Sequence, residues 1–166
     1  YAYCVCDSGW NGGDCSLDAS DFENKRNIRE NLCASIYDTV AIQDLTEDVV
    51  LSRCTTLNGL LRDPTQLSTS AINNCTLALI ETITQGAEYA GLDEVSDTAT
   101  DTLSGVLLLD LDAGLLANVS SALEALTSAV QDNLAVGEDQ KSFNTETTRI
   151  GCSVVDPNAL NGATFS

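Results

Sequence analysis

Apolar residues along most of this chain recur every three or four positions, the spacing that gathers them on one face of an α-helix. The first such stretch covers 21–40. It is opened by Ser20-Asp21-Phe22-Glu23, a capping-box pattern, and carries Ile28, Leu32, Ile36 and Val40 as its stripe. Asp44-Leu45-Thr46-Glu47 starts a second helix with Val50, Cys54, Leu57 and Leu61 at helical spacing, and Asp63-Pro64 ends it because the residue before proline avoids helical geometry. Proline suits a first turn, so a third helix is expected over 64–85, with Ile72, Thr76, Leu79, Ile80 and Ile83 inward. Gly86 and Gly91 bracket a break before a fourth helix bearing Leu92, Val95, Ala99, Leu103 and Val106, and 109–114 reads as a connection. The last helix is the clearest, with Leu116, Val119, Leu123, Leu126, Val130 and Leu134 in register.

Beyond Gly137 the pattern changes. The stretch 142–155 is rich in Thr, Val and Ile with rough period-two alternation, Asp156-Pro157-Asn158 and Asn161-Gly162 are turn signals, and Ala163-Thr164-Phe165 looks like the start of another strand. One strand and a stub cannot complete a sheet, so this part is expected to pair with something outside these residues or with another copy. The expected fold is mainly α: a disulfide-linked antiparallel helical bundle over 20–137, a small hairpin over 1–15, and a strand segment over 142–166.

Composition narrows the chemistry. The 166 residues include 25 Asp and Glu against 7 Lys and Arg, a net charge of −18, and no His. A nucleic-acid surface needs a basic stripe to replace counterions, so nucleic acid and anionic membranes are not expected partners. Without His there is no Ser-His-Asp or Cys-His machinery in this chain. Its 43% apolar residues suffice for a core. The longest strongly apolar run, Val106-Leu107-Leu108-Leu109, is far short of the roughly 20 residues a bilayer-spanning helix needs, so no membrane insertion is expected. With no initiating Met and no export signal, the chain reads as part of a longer protein.

The cysteines are the most specific feature. Cys4, Cys6 and Cys15 sit in Tyr3-Cys4-Val5-Cys6-Asp7-Ser8-Gly9-Trp10-Asn11-Gly12-Gly13-Asp14-Cys15. Three unrelated cysteines or a zinc knuckle are the alternatives, and the knuckle lacks a fourth nearby ligand. The string resembles the C-terminal half of an EGF-like module. That resemblance implies that Cys6 pairs with Cys15, that Cys4 pairs with a cysteine upstream, and that the chain matures in an oxidising compartment. Some EGF-like modules bind calcium at their N-terminal edge, a part this stretch does not include. The other four cysteines, Cys33, Cys54, Cys75 and Cys152, allow three pairings. Cys33 and Cys54 would lie level across a turn near Gln43-Asp44, and Cys54 and Cys75 across Asp63-Pro64; the reading leans to Cys33–Cys54 with Cys75–Cys152. Two sequons, Asn74-Cys75-Thr76 and Asn118-Val119-Ser120, agree with secretion, and helical phase turns both asparagines away from the core.

The helical part also resembles the helical subdomain of GAIN- and REJ-type ectodomains. The resemblance rests on Leu61-Arg62-Asp63-Pro64-Thr65-Gln66-Leu67-Ser68 and on Val130 through Ala135-Val136-Gly137-Glu138 leading into Thr-rich strands. It implies that a β subdomain opens after Gly137; no self-cleaving motif lies in these residues. The make-up is similar to that of EGF-bearing cell-surface and mastigoneme-type proteins. The leading expectation is therefore a non-enzymatic extracellular structural or adhesive segment of a larger glycoprotein, such as a filament subunit, with protein partners, self-association and N-glycans. The alternative is an ectodomain fragment of an adhesion or polycystin-type receptor. A third reading is a carboxylate-based hydrolase using Asp110 and Asp112, or Asp97 and Asp101. With 25 acidic residues such pairs arise by chance as a solvated surface. No cofactor is expected, and although Asp110-Leu111-Asp112 alternates acids, the remaining positions of a calcium loop are not filled.

Overall fold

The computed structural model describes residues 5–155. The order is β1 (Trp10–Asn11), β2 (Leu17–Asp18), α1 (Ala19–Val40), α2 (Glu47–Leu61), a 3-10 turn (Pro64–Gln66), α3 (Thr69–Gln85), α4 (Ala87–Ala90), α5 (Asp93–Val106), α6 (Ala113–Asn133), β3 (Lys141–Asn144) and β4 (Arg149–Cys152). The protein is a mainly helical, disulfide-linked bundle with a small antiparallel strand pair at each end of the described chain.

Side-chain caps set the helix starts. Asp18 accepts from the Asp21 N–H (2.8 Å), so α1 begins ahead of the Ser20 box; an aspartate placed three residues before a free amide takes the capping role. Thr46 caps α2, Ser68 caps α3 and Asp112 caps α6. Pro64 does not start α3 as expected. Asp63 folds over Thr65 and Gln66, closing a separate turn before Ser68 restarts the helix.

The core lies where α2, α3, α5 and α6 meet, with Leu57, Leu79, Ile83, Leu103 and Leu126 essentially inaccessible. Burial of each such side chain stabilises by roughly 1.5–3 kcal/mol. The inner face of α5 is built from small and hydroxyl-bearing residues, and the buried Thr100 hydroxyl donates to the Ser96 carbonyl (2.7 Å), as Thr82 does to Ala78 (2.7 Å). A hydroxyl satisfied within its own helix adds no unpaired polar group to the core.

Two stripes differ from their expected phase. In α1 only Cys33 and Val40 are buried, while Ile28 and Leu32 are 59% and 43% exposed: α1 lies at the periphery, packed chiefly on α3. In α6 Leu115 is buried where Leu116 was expected, and Leu116 is 44% exposed. By length and composition α6 could cross a membrane; its Leu115, Val119, Ala122 and Leu126 are buried in the bundle's core.

The segment after Gly137 does not hold a single strand. Lys141 to Asn144 pair antiparallel with Arg149 to Cys152, and Phe143, Ile150 and Cys152 pack with Val130 and Leu134 in a second cluster. Residues 163–165, expected to begin a strand, and Cys4 lie outside the described residues.

Candidate functional site

The N-terminal bridge forms between Cys6 and Cys15, their Cα atoms 5.3 Å apart. Gly12 takes a φ of +91°, which L side chains rarely adopt, and Cys15 has a φ of +57°. The strand partner of Trp10-Asn11 is Leu17-Asp18, just beyond the bridge, so the hairpin runs directly into α1. It is seated on the α2–α3 junction: a Cβ on Gly13 would lie 3.8 Å from Asp63 Oδ2, and one on Gly12 3.9 Å from Gln66 Nε2. Asp63 holds that junction, accepting from the Thr65 hydroxyl (2.6 Å) and from Gln66 Nε2 (2.6 Å).

Beside the hairpin, α2 and α5 border an open cleft of about 1420 Å³ lined by Gly13, Phe22, Asn58, Arg62, Asp101 and Glu146 among others. Asn58 Nδ2 donates to Asp101 Oδ2 (2.9 Å) across it.

The second bridge corrects the expected pairing. Cys33 is joined to Cys75, Cα atoms 4.8 Å apart, while Cys54 and Cys152 are free thiols buried in different clusters. The lean to Cys33–Cys54 and Cys75–Cys152 assumed that helices adjacent in sequence pack as neighbours. Instead α1 lies on α3, and α2 turns chiefly to α5, so Cys33 faces Cys75. Burial drives the Cys54 thiol up to about 12, with the neighbouring Arg53 charge opposing. Burial also raises Cys152, opposed by Lys141.

The carboxylates of the two candidate pairs each have their own surroundings. Asp112 is occupied as the α6 cap, Asp101 accepts from Asn58, Asp97 lies 4.0 Å from Lys141 Nζ, and Asp110 is exposed in the preceding connection. Among the described residues no group of three or more Cys, Asp or Glu side chains is arranged to hold a metal ion.

Asn118 is exposed on α6, with the Ser120 hydroxyl donating to the Leu116 carbonyl (3.0 Å). Asn74, expected to point away from the core, is half-buried, because α3 is packed by α1, α2 and α6 and its neighbours Cys75 and Thr76 are fully buried.

Two cations that sequence reasoning passed over do structural work. Arg53, 7% exposed, donates from Nη2 to Gln43 Oε1 (2.8 Å) and to the Thr39 carbonyl (3.2 Å), so a charge from α2 closes the C-terminal end of α1. Its phase carried the signal, since position 53 falls between Val50, Cys54 and Leu57 on the apolar stripe. Lys141 Nζ bonds Asp93 Oδ1 (2.6 Å) and the Ser96 hydroxyl (2.7 Å) and sits 5.1 Å from the Phe143 ring centroid, fastening β3 to α5. Nothing in the local pattern marks it.

No family model matches this chain, and no match was found among curated proteins or among solved structures.

Proposed function

We propose that this chain is a non-enzymatic structural or adhesive segment of a larger extracellular glycoprotein, built as a filament or cell-surface spacer. The observation that carries the reading is the pair of disulfides, one closing a glycine-rich hairpin and the other stapling α1 to α3. Such bridges persist in oxidising compartments. In a spacer they hold a peripheral helix and a nearly coreless hairpin in place while neighbouring modules pull on them. The surface suits that role: 25 acidic side chains keep it solvated, and Asn118 offers an exposed acceptor for an N-glycan. Asn74 is a poorer acceptor in the folded chain, its triplet being built into the core.

The test is mass mapping of the secreted protein without reduction, before and after removal of N-glycans. The expected result is Cys6 linked to Cys15, Cys33 linked to Cys75, and a glycan on Asn118. Free thiols at Cys6 and Cys15 in native material would overturn the reading.

A further inference from the structure

We infer that Asn74 and Cys75 are rival modification sites: one molecule carries either an N-glycan on Asn74 or the Cys33–Cys75 bridge, and the bridge, once formed, closes the acceptor. This rests on the secreted reading above and adds a rule for one of its two sequons.

The conflict is built into the triplet Asn74-Cys75-Thr76. A glycosyl transferase that reads such a triplet engages the amide and the hydroxyl together. In extended chain, residues i and i+2 point to one side, whereas on a helix they stand about 200° apart. The triplet lies inside α3, where Cys75 and Thr76 are fully buried. Asn74 is half-buried on the face it shares with Ala71 and Ala78, both at 0% exposure. The acceptor form is therefore the chain before α3 docks. The bridge to Cys33 makes that docking covalent, and a glycan already on Asn74 obstructs it, because its stem would leave from a face that packs.

Thr76 supplies the second observation. Its hydroxyl makes no hydrogen bond among the described residues, while that of Thr82, six residues on, donates to the Ala78 carbonyl (2.7 Å). A buried hydroxyl without a partner weakens a core, so the fold gains nothing from the oxygen at position 76. Its use lies in the unfolded chain, where the sequon requires it.

Chain order brings the two reactions together. Cys33 precedes Cys75 by 42 residues, so its thiol is already present when the triplet enters the compartment. Glycan transfer forms a bond from Asn74 Nδ2 to the sugar C1 as the C1–O bond to a lipid diphosphate carrier breaks; the carrier keeps the electron pair and the amide gives up a proton. Bridge formation joins Cys33 Sγ to Cys75 Sγ, and the two electrons and two protons pass to the disulfide of a thiol oxidant, leaving it a dithiol. Asn118 has no such rival: it is exposed, and α6 contains no cysteine.

The test expresses the 166-residue chain behind an export signal in glycosylating cells and maps glycans and bridges by mass without reduction. The unaltered chain should carry little glycan on Asn74, and any fraction that does should have Cys33 and Cys75 open to alkylation. Cys33→Ala leaves the triplet intact and should raise Asn74 occupancy at least threefold. A membrane-permeant dithiol present during synthesis should do the same for the unaltered chain, with Asn118 occupancy steady in both arms. Where the variant is retained in the cell, occupancy is read on the retained chain. Unchanged Asn74 occupancy in either arm, or a major species bearing both the Asn74 glycan and the Cys33–Cys75 bridge, would overturn the inference and leave the secreted reading standing. Free Cys6 and Cys15 thiols in the unaltered chain, with both asparagines bare, would sink the secreted reading and this rule with it.

Discussion

Cys54 and Cys152 show what burial does to a thiol. Both lie at 0% exposure, and desolvation penalises the thiolate that would react, so neither behaves as a nucleophile in the folded chain. Iodoacetamide at pH 8 should leave both unmodified in the native protein and alkylate both after denaturation without reduction; rapid native labelling of Cys54 would contradict the packing around it. Gly91 shows a different constraint. A Cβ there would run into the Ala129 carbonyl and the Asn133 side chain, so the chain between α4 and α5 approaches α6 as only glycine allows. Gly91→Ala should cost about 1–3 kcal/mol, read as a lower urea midpoint, because a backbone carbonyl cannot swing aside as a flexible side chain can.

Among the helices, α1 is the least buried for its length. Of its 22 residues only Cys33 and Val40 are buried, and its packing on α3 is reinforced by the bridge to Cys75, the Arg29 donation to the Leu60 carbonyl (2.9 Å) and the Arg53 contact at its C-terminal end. The Cys33–Cys75 bridge closes 42 residues, and chain entropy alone assigns such a loop about 4 kcal/mol. The double variant Cys33→Ala with Cys75→Ala should therefore lose stability of that order, and hydrogen exchange should speed up in α1 before it does in α3 or α6. Uniform acceleration throughout the bundle would contradict a separately releasable helix. The C-terminal hairpin is fastened by Lys141 to Asp93, whose carboxyl is held below its usual value by the hydrogen bond and charge of that lysine. A depressed carboxyl stabilises above its unfolded value, here 3.8, and loses that contribution as the pH falls through its folded value. Acidification should thus loosen β3 from α5, seen as exchange at Phe143, while Asp93→Asn should flatten that response.

At the scale of the molecule, much of the helical core was legible in the chain. Val50, Cys54, Leu57 and Leu61, then Thr76, Leu79, Ile80 and Ile83, then Val95, Ala99, Leu103 and Val106 are all buried as their spacing implied. These runs read correctly because each helix has a single inner face that the periodicity reports. The phase of α1 was not legible, since its Ile28 and Leu32 look like core residues until the bundle leaves them outside. Nor was the Cys33–Cys75 link: loop symmetry predicts neighbours only for helices that follow one another, and this bundle places α1 on α3. Of the site, the Cys6–Cys15 bridge is the one that the resemblance to an EGF-like module implied. The Lys141 contacts depend on tertiary placement that no local pattern encodes, whereas the burial of Arg53 was signalled by its phase on the α2 stripe and only its partners were not.

The position of Cys33 within α1 also sets how the chain would bear a load. Once the hairpin is undocked, tension entering from the N-terminal side can unwind only the turns ahead of the staple, residues 19–32. Each residue passing from helix to extended chain lengthens it by about 2 Å, so that stretch yields roughly 25–30 Å before the covalent stop is reached. Past that slack the load crosses the bridge to Cys75 in α3, so the chain between the two cysteines, α2 included, is bypassed.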